Sequence, residues 1–252
     1  MHERQPDENS ENLIFGRNAV RELLASGREI DKIYISKGER EGSILRLIGE
    51  ARERKIPLVE CDRRRLDDLS AGGAHQGIVA VAAEHAYASI EDMLALAESR
   101  GEKPLVILAD GILDPRNLGA LLRVAECAGA HGVIIPKRRA VGLTALVAKT
   151  SAGAIEHLPV ARVPNLASAI EELKELGFWI YAADMDGRAY FETDLSGACA
   201  IVLGSEGEGV SRLVKEKCDF VVSIPLHGKV NSMNVTSAAA VILCEAARQR
   251  HL

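Results

Sequence analysis

Short apolar runs alternate with stretches of helical spacing along the whole chain. In the first third, KIYIS (32–36), PLVEC (57–61) and GIVAVAA (77–83) have the alternating or continuous apolar character of strands. Between them, Ile44 to Arg54 repeats apolar residues at helical intervals. Asn18 is placed to cap a helix through Ala25 that Gly27 stops, and Asp62 to cap DRRRLDDL. Together these predict a small α/β domain over residues 13–84, near the lower size limit for a unit with its own core.

A junction follows at 85–103, where Ser89 is expected to cap a helix ending near Arg100 and Gly101 to Pro104 punctuate the chain. Beyond it, six apolar runs appear at 105–110, 132–136, 157–162, 178–184, 199–204 and 220–225. Helices are expected at 118–128, 143–150, 166–176, 210–216 and 235–249. Near-continuous apolar strands alternating with helices predict a parallel sheet covered on both faces over residues 104–252. Ligands of such sheets bind at the carboxyl ends of the strands.

Composition narrows the function classes. The 252 residues are 47% hydrophobic and 27% charged, as in an ordinary globular protein, and the net charge of −5 argues against a general nucleic-acid binder. RNA contact therefore has to come from local patches: RERK (52–55), Arg63 to Arg65 and PKRR (136–139), each of which could equally be a solvated face. Five cysteines without CxxC spacing fit a reducing cytoplasm, and the scattered histidines suggest no metal site. The polar residues 1–12 look like a disordered tail rather than a targeting segment, and no apolar run is long enough to span a bilayer.

Three loops at strand ends carry the candidate chemistry. In DGILDPRNLGALLRVAECAG (110–129), Asn117 is placed to cap the helix bearing Arg123, and Arg116 lies seven residues before Arg123 on a similar face. The plain alternative for Arg123 is an ion pair with Glu126. In IVLGSEGEGVS (201–211), Gly204, Gly207 and Gly209 could form a tight turn or cradle a ligand, with Glu206 between them. The spacing is neither that of a dinucleotide fingerprint nor of a P-loop. In IPLHGKVNSMNVTSAAA (224–240), one of Ser232 or Asn234 suffices to cap the last helix, which leaves other polar groups to explain. His75 and Gln76 could touch RNA or merely turn the chain into the next strand.

Taken together, NLGxxxRxAxxxG, GSEGxG and IPxxGxVxSxNV, in this order, resemble the SpoU (TrmH-like) family of RNA 2′-O-ribose methyltransferases. The resemblance is dense over 104–250, and IFGRNAVRELL, HQGIVA and CEAARQR extend it over nearly the whole chain. It is strongest to the branch that methylates a guanosine ribose in 23S ribosomal RNA. Leu226, Met233 and Thr236 are mild departures from the family pattern.

The resemblance implies an α/β fold with a C-terminal parallel-sheet domain tied in a deep trefoil knot, and an N-terminal domain like ribosomal-protein-type RNA-binding domains. It implies S-adenosyl-L-methionine as cofactor, held by backbone near Leu203, Gly204, Gly207, Ile224, Gly228 and Met233. Catalysis is implied for Arg123, with Asn117, Glu206, Ser232 and Asn234 at the ribose, and RNA binding for Arg63, Arg64, Arg65 and Arg116. It further implies a homodimer through the knotted domain, 23S rRNA as partner, and no metal or membrane. The alternatives are a tRNA or antibiotic-resistance rRNA target, or a non-catalytic relative in ribosome assembly; a dehydrogenase lacks the glycine spacing.

Overall fold

The computed structural model describes residues 12–38, 42–83, 85–205, 207–230 and 232–251. Most of the expected N-terminal tail, and Glu206, lie outside the described residues. The chain divides into two compact units, residues 1–86 with 142–145, and residues 87–141 with 146–252.

The first unit holds a four-stranded sheet in the order β1 (Leu13–Phe15), β4 (Ile78–Ala82), β2 (Ile30–Ser36), β3 (Leu58–Cys61). β4 runs antiparallel to both neighbours, and β2 and β3 run parallel. Helices α1 (Arg17–Ala25), α2 (Ser43–Glu53) and α3 (Arg63–Leu69) complete it. α1 and α2 each bury one apolar stripe: Val20, Leu23 and Leu24 from α1, and Ile44, Leu47, Ile48 and Ala51 from α2, enter a single core with Ile33, Ile35 and Ile78. Asn18 is not a cap. α1 begins one residue earlier, at Arg17, with Gly16 at a φ of 93° that a side chain would resist. Asp62 does occupy the cap position of α3, but its carboxylate pairs with Lys37 at 3.1 Å instead of closing the helix.

The second unit holds a sheet in the order β10 (Phe220–Ser223), β8 (Trp179–Ala189), β9 (Cys199–Leu203), β5 (Leu105–Ala109), β6 (Gly132–Pro136), β7 (Val160–Val163), parallel throughout. β5, β6 and β9 are buried at every position, which is why their sequences are apolar without alternation. Helices α4 (Ile90–Arg100), α5 (Pro115–Cys127), α6 (Ala145–Thr150), α7 (Leu166–Glu175), α8 (Arg212–Lys217) and α9 (Val235–His251) connect or cover the strands. The stretch expected as a junction contains α4, closed by a reciprocal capping box between Ser89 and Asp92. Its Ile90 and Met93 are buried in the core of this unit with Val106, Ile134, Ile170 and Leu173.

The chain moves from β5 outward to β6 and β7, then returns on the other side to β8, β9 and β10. The order therefore reverses between β5 and β9, the place where loops of an open parallel sheet diverge and leave a crevice. β8 runs five residues beyond its expected end. Tyr181 and Ala182 oppose Phe220 and Val221, whereas Arg188 and Ala189 oppose Val222 and Ser223, so residues 183–187 bulge out of the ladder.

Candidate active site

A cavity of about 240 Å3 opens at the carboxyl ends of β9 and β10 and beside the bulge of β8. Four stretches of chain bound it: Asp184 and Met185 in the β8 bulge, Leu203 and Gly204 after β9, Ile224 and Leu226 after β10, and Ser232 and Met233 leading into α9. Val222 and Ile242 close its apolar side. Of the residues expected to hold a cofactor, Leu203, Gly204, Ile224 and Met233 line the cavity; Gly207 and Gly228 do not.

The loop after β9 is a tight turn. Ser205 and Gly209 exchange two main-chain hydrogen bonds, with Gly209 at a φ of 65°. This turn folds back over Gly204, where a Cβ would stand 1.9 Å from the Gly209 carbonyl carbon and 2.1 Å from the Val210 nitrogen. Gly204 thus lets the loop close on itself, and it lines the cavity as well. The Asp110 amide donates to the Leu203 carbonyl at 2.8 Å, and its carboxylate accepts from the Ser211 amide at 2.8 Å. The end of β5 therefore fixes both the start of the loop and the start of α8.

The charge on the cavity wall is negative. Asp184 and Glu208 border it, and Lys215 engages Asp184 at 2.7 Å and Asp186 at 2.8 Å. These two acceptors hold the Lys215 ammonium above its ordinary pKa, while the lysine holds the Asp186 carboxyl below its own. An apolar cavity rimmed by carboxylates suits a ligand with an apolar ring and a positive charge.

Two asparagines meet, one of them Asn234, which stands between the lining residues Met233 and Val235. Asn117 is not the cap of α5: the helix begins two residues earlier, at Pro115, and Asp114 caps it by accepting from the Arg116 amide at 2.7 Å. Relieved of capping, Asn117 accepts from the Asn234 side-chain amide at 3.2 Å. Asn234 is the residue that caps α9, through its oxygen, which accepts from the Thr236 amide at 2.9 Å and from the Thr236 hydroxyl. Ser232 is left to face the cavity.

Arg123 sits six residues along α5 from Asn117, about 9 Å down the helix axis, and its side chain is exposed, outside the cavity lining. Among the described residues its guanidinium has no hydrogen-bonding or ion-pair partner, and the alternative pairing with Glu126 does not form. Arg116 is exposed as well. In the first unit, Arg63, Arg64 and Arg65 are exposed on α3, which buries Leu66 on its other side. His75 is structural: it is buried, its Nδ1 accepts from the Gly77 amide at 3.0 Å and its Nε2 bonds to Asp67 at 3.0 Å. Gln76 accepts from the Arg17 amide at 2.9 Å.

Sequence reasoning missed Asp184, Met185 and Glu208 as lining residues. The signal for Asp184 was available: a carboxylate ends the apolar run 178–184. Among the described residues, no His, Cys, Asp or Glu side chains gather as metal ligands, and no helix is long and apolar enough to cross a membrane.

Comparison with known proteins agrees with this geometry. Residues 13–88 match a domain described as RNA 2'-O ribose methyltransferase substrate binding, and residues 104–244 match the SpoU rRNA Methylase family. The chain is 44% identical over 239 residues to YacO of Bacillus subtilis (strain 168), assigned to the TrmH family of tRNA/rRNA methyltransferases, covering 94% of this chain and 96% of that one. A protein of Staphylococcus haemolyticus (strain JCSC1435) with the same family assignment is 45% identical, covering 95% and 96%. Among solved structures, the SpoU methyltransferase AviRb from Streptomyces viridochromogenes, in complex with AdoMet, shares the fold with a TM-score of 0.59 at 24% identity, over 98% of this chain and 94% of that one. With its first unit matching the substrate-binding domain and its second the methylase domain, the chain belongs to the SpoU family of RNA methyltransferases.

Proposed function

We propose that the protein transfers the methyl group of S-adenosylmethionine to a ribose 2′-hydroxyl of 23S ribosomal RNA, at a guanosine, acting in the cytoplasm as a homodimer. The observation that carries this reading is the cavity itself: an apolar, carboxylate-rimmed space at two strand ends and the β8 bulge, with Ser232 in its lining and Asn234, bonded to Asn117, between the lining residues Met233 and Val235. Leu203, Ile224, Leu226 and Met233 would enclose the adenine, and Asp184 and Glu208 would favour the positive end of the ligand. When bound, the cofactor supplies an electrophilic methyl on a sulfonium.

The chain's own residues have the remaining tasks. Ser232 and Asn234 orient the ribose so that its oxygen lies in line with the methyl group. A guanidinium is protonated at all working pH values, so Arg123 acts as a two-pronged donor to RNA phosphate and to the ribose oxygen as charge develops on it. The proton leaving the 2′-hydroxyl has two candidate acceptors, the phosphate held by Arg123 and the carboxylate of Glu206.

Two features support the dimer. Arg123 is exposed and stands apart from the cavity of its own chain, as expected of a group that completes a partner's site. In α9, Val241 is only half-buried beside the fully buried Ile242 and Leu243, so the helix offers apolar surface on a second side. The exposed Arg63, Arg64 and Arg65 support RNA binding by the first unit. Five free cysteines fit a reducing compartment.

The test is to map ribose methylation across 23S rRNA and tRNA from cells with and without the gene. Loss of one 2′-O-methylguanosine in 23S rRNA is expected. Loss confined to tRNA would overturn the substrate while keeping the chemistry, and an unchanged map would overturn both.

A further inference from the structure

We propose that Lys215 is a positioning residue for the methyl donor, holding in place the β8 bulge that forms one wall of the cavity. The proposal rests on the cavity being the S-adenosylmethionine site.

The bulge is a structural liability at a functional position. Residues 183–187 have no partners across the ladder to β10, yet Ala183, Asp184 and Met185 line the cavity. A wall without ladder hydrogen bonds keeps its shape only if something else pins it. Its far end is pinned by backbone packing. A Cβ at Gly187 would stand 2.5 Å from the Val221 carbonyl, and the Ser223 hydroxyl donates to the Gly187 carbonyl at 2.8 Å. Neither contact reaches the half that faces the cavity.

There, among the described residues, the side-chain bonds of Asp184 and Asp186 to another element both go to one ammonium, that of Lys215. The other oxygen of Asp184 accepts from the Met185 amide at 2.7 Å, which turns the main chain at the wall itself. Lys215 and Asp184 are each little more than a quarter exposed, so this bridge is less screened than an ordinary surface pair.

The position of Lys215 gives the bridge its meaning. It lies on α8, which follows the glycine turn, another stretch of the cavity lining. α8 is in turn fixed to the end of β5 through Asp110 and the Ser211 amide. Lys215 therefore ties two stretches of the lining to each other through a single short helix, and its ammonium is spent on that tie rather than on the ligand. Without it, the bulge is free to leave the shape that receives the donor, and apparent affinity falls by the fraction of time spent elsewhere.

The experiment is calorimetric binding of S-adenosylmethionine to the full chain, with amide hydrogen exchange of residues 183–187. Lys215→Met is expected to weaken binding about tenfold and to speed exchange across the bulge, at temperatures where the variant is fully folded. Lys215→Arg, which keeps two-carboxylate contact, is expected to stay within about twofold of the wild type. Unchanged affinity in a folded Lys215→Met overturns the proposal. Should that variant fail to fold, Asp186→Asn decides instead, since its side chain is 72% exposed and outside the cavity lining. A Kd raised about threefold supports the tie, and an unchanged one overturns it. No binding by the wild type would overturn the cavity reading itself, a result distinct from normal wild-type binding with an indifferent Lys215.

Discussion

The cavity and the arginine-bearing surfaces are built in opposite ways. The cavity is walled by main chain and apolar side chains, and most of its charge is paired in place: Asp184 and Asp186 share Lys215, and Asp110 holds the start of α8, which leaves a net negative charge with Glu208. On α3 and along α5, Arg63, Arg64, Arg65, Arg116 and Arg123 are exposed. A small ligand of fixed shape is best served by a preorganised wall that loses no freedom on binding. A long polyanion is served by guanidinium groups that can adjust to phosphates. The two regions should therefore respond to substitution in separable ways.

The largest effect is expected at Gly204. Gly204→Val places a side chain against the backbone of Gly209 and Val210, so the turn cannot close. Cofactor binding should fall by more than about a hundredfold, together with a loss of several degrees in Tm, because backbone and not ligand space is invaded. Calorimetry and a thermal melt on the same sample check this. Lost binding with an unchanged Tm would mean the glycine serves the ligand after all.

Arg123→Ala should do the reverse, leaving fold and cofactor affinity near wild type and lowering methyl transfer by about 10²–10³-fold, as for loss of a donor to a developing oxyanion. Arg123→Lys should rescue little, because a point charge does not reproduce the fork. Tritiated methyl incorporation into undermethylated 23S rRNA at saturating cofactor reads both. Mixing Arg123→Ala chains with chains carrying Gly204→Val should restore part of the activity if each site is completed by the partner.

Replacing Arg63, Arg64 and Arg65 together by Gln should raise the KM for RNA about tenfold and flatten its salt dependence by about one logarithmic unit per lost phosphate contact. Cofactor affinity should not move. Equal effects on RNA and cofactor would break the division between the two regions.

How far the sequence reaches follows the same division. The strands of the second unit are legible because both faces of their sheet are covered, so β5, β6 and β9 read as unbroken apolar runs. The five-residue bulge of β8 is not legible, because ADMDG (183–187) is half-buried or exposed and has no partners in the ladder to β10 that a side-chain pattern could mark. Asp114 just before Pro115 carried a helix-start signal stronger than Asn117, and it is Asp114 that caps. Gly204 shows the limit most plainly: a glycine between strand and helix predicts close approach, but only the fold shows that what approaches is Gly209 and Val210. The strand order depends on which distant segments pair, and no local pattern encodes it.

The smallest effect is expected at Asn234, where structure and chemistry share one side chain. Its oxygen caps α9 through Thr236, and its amide donates to Asn117. Asn234→Ala removes both and should cost about 1 kcal/mol, a fall of about 2–4 °C in Tm, together with reduced turnover. Asn234→Asp separates the two. A carboxylate accepts from the Thr236 amide as well as the native oxygen does, and its charge suits a helix N-terminus, so stability should return to near wild type. It cannot donate, so the link to the Asn117 oxygen is lost unless that amide turns over, and in the proposed role of Asn234 a negative charge would be set beside a ribose oxygen that must itself become negative. Turnover of Asn234→Asp should therefore stay low while its Tm recovers. If activity recovers with stability, Asn234 is only a cap, and the orientation of the ribose falls to Ser232 alone.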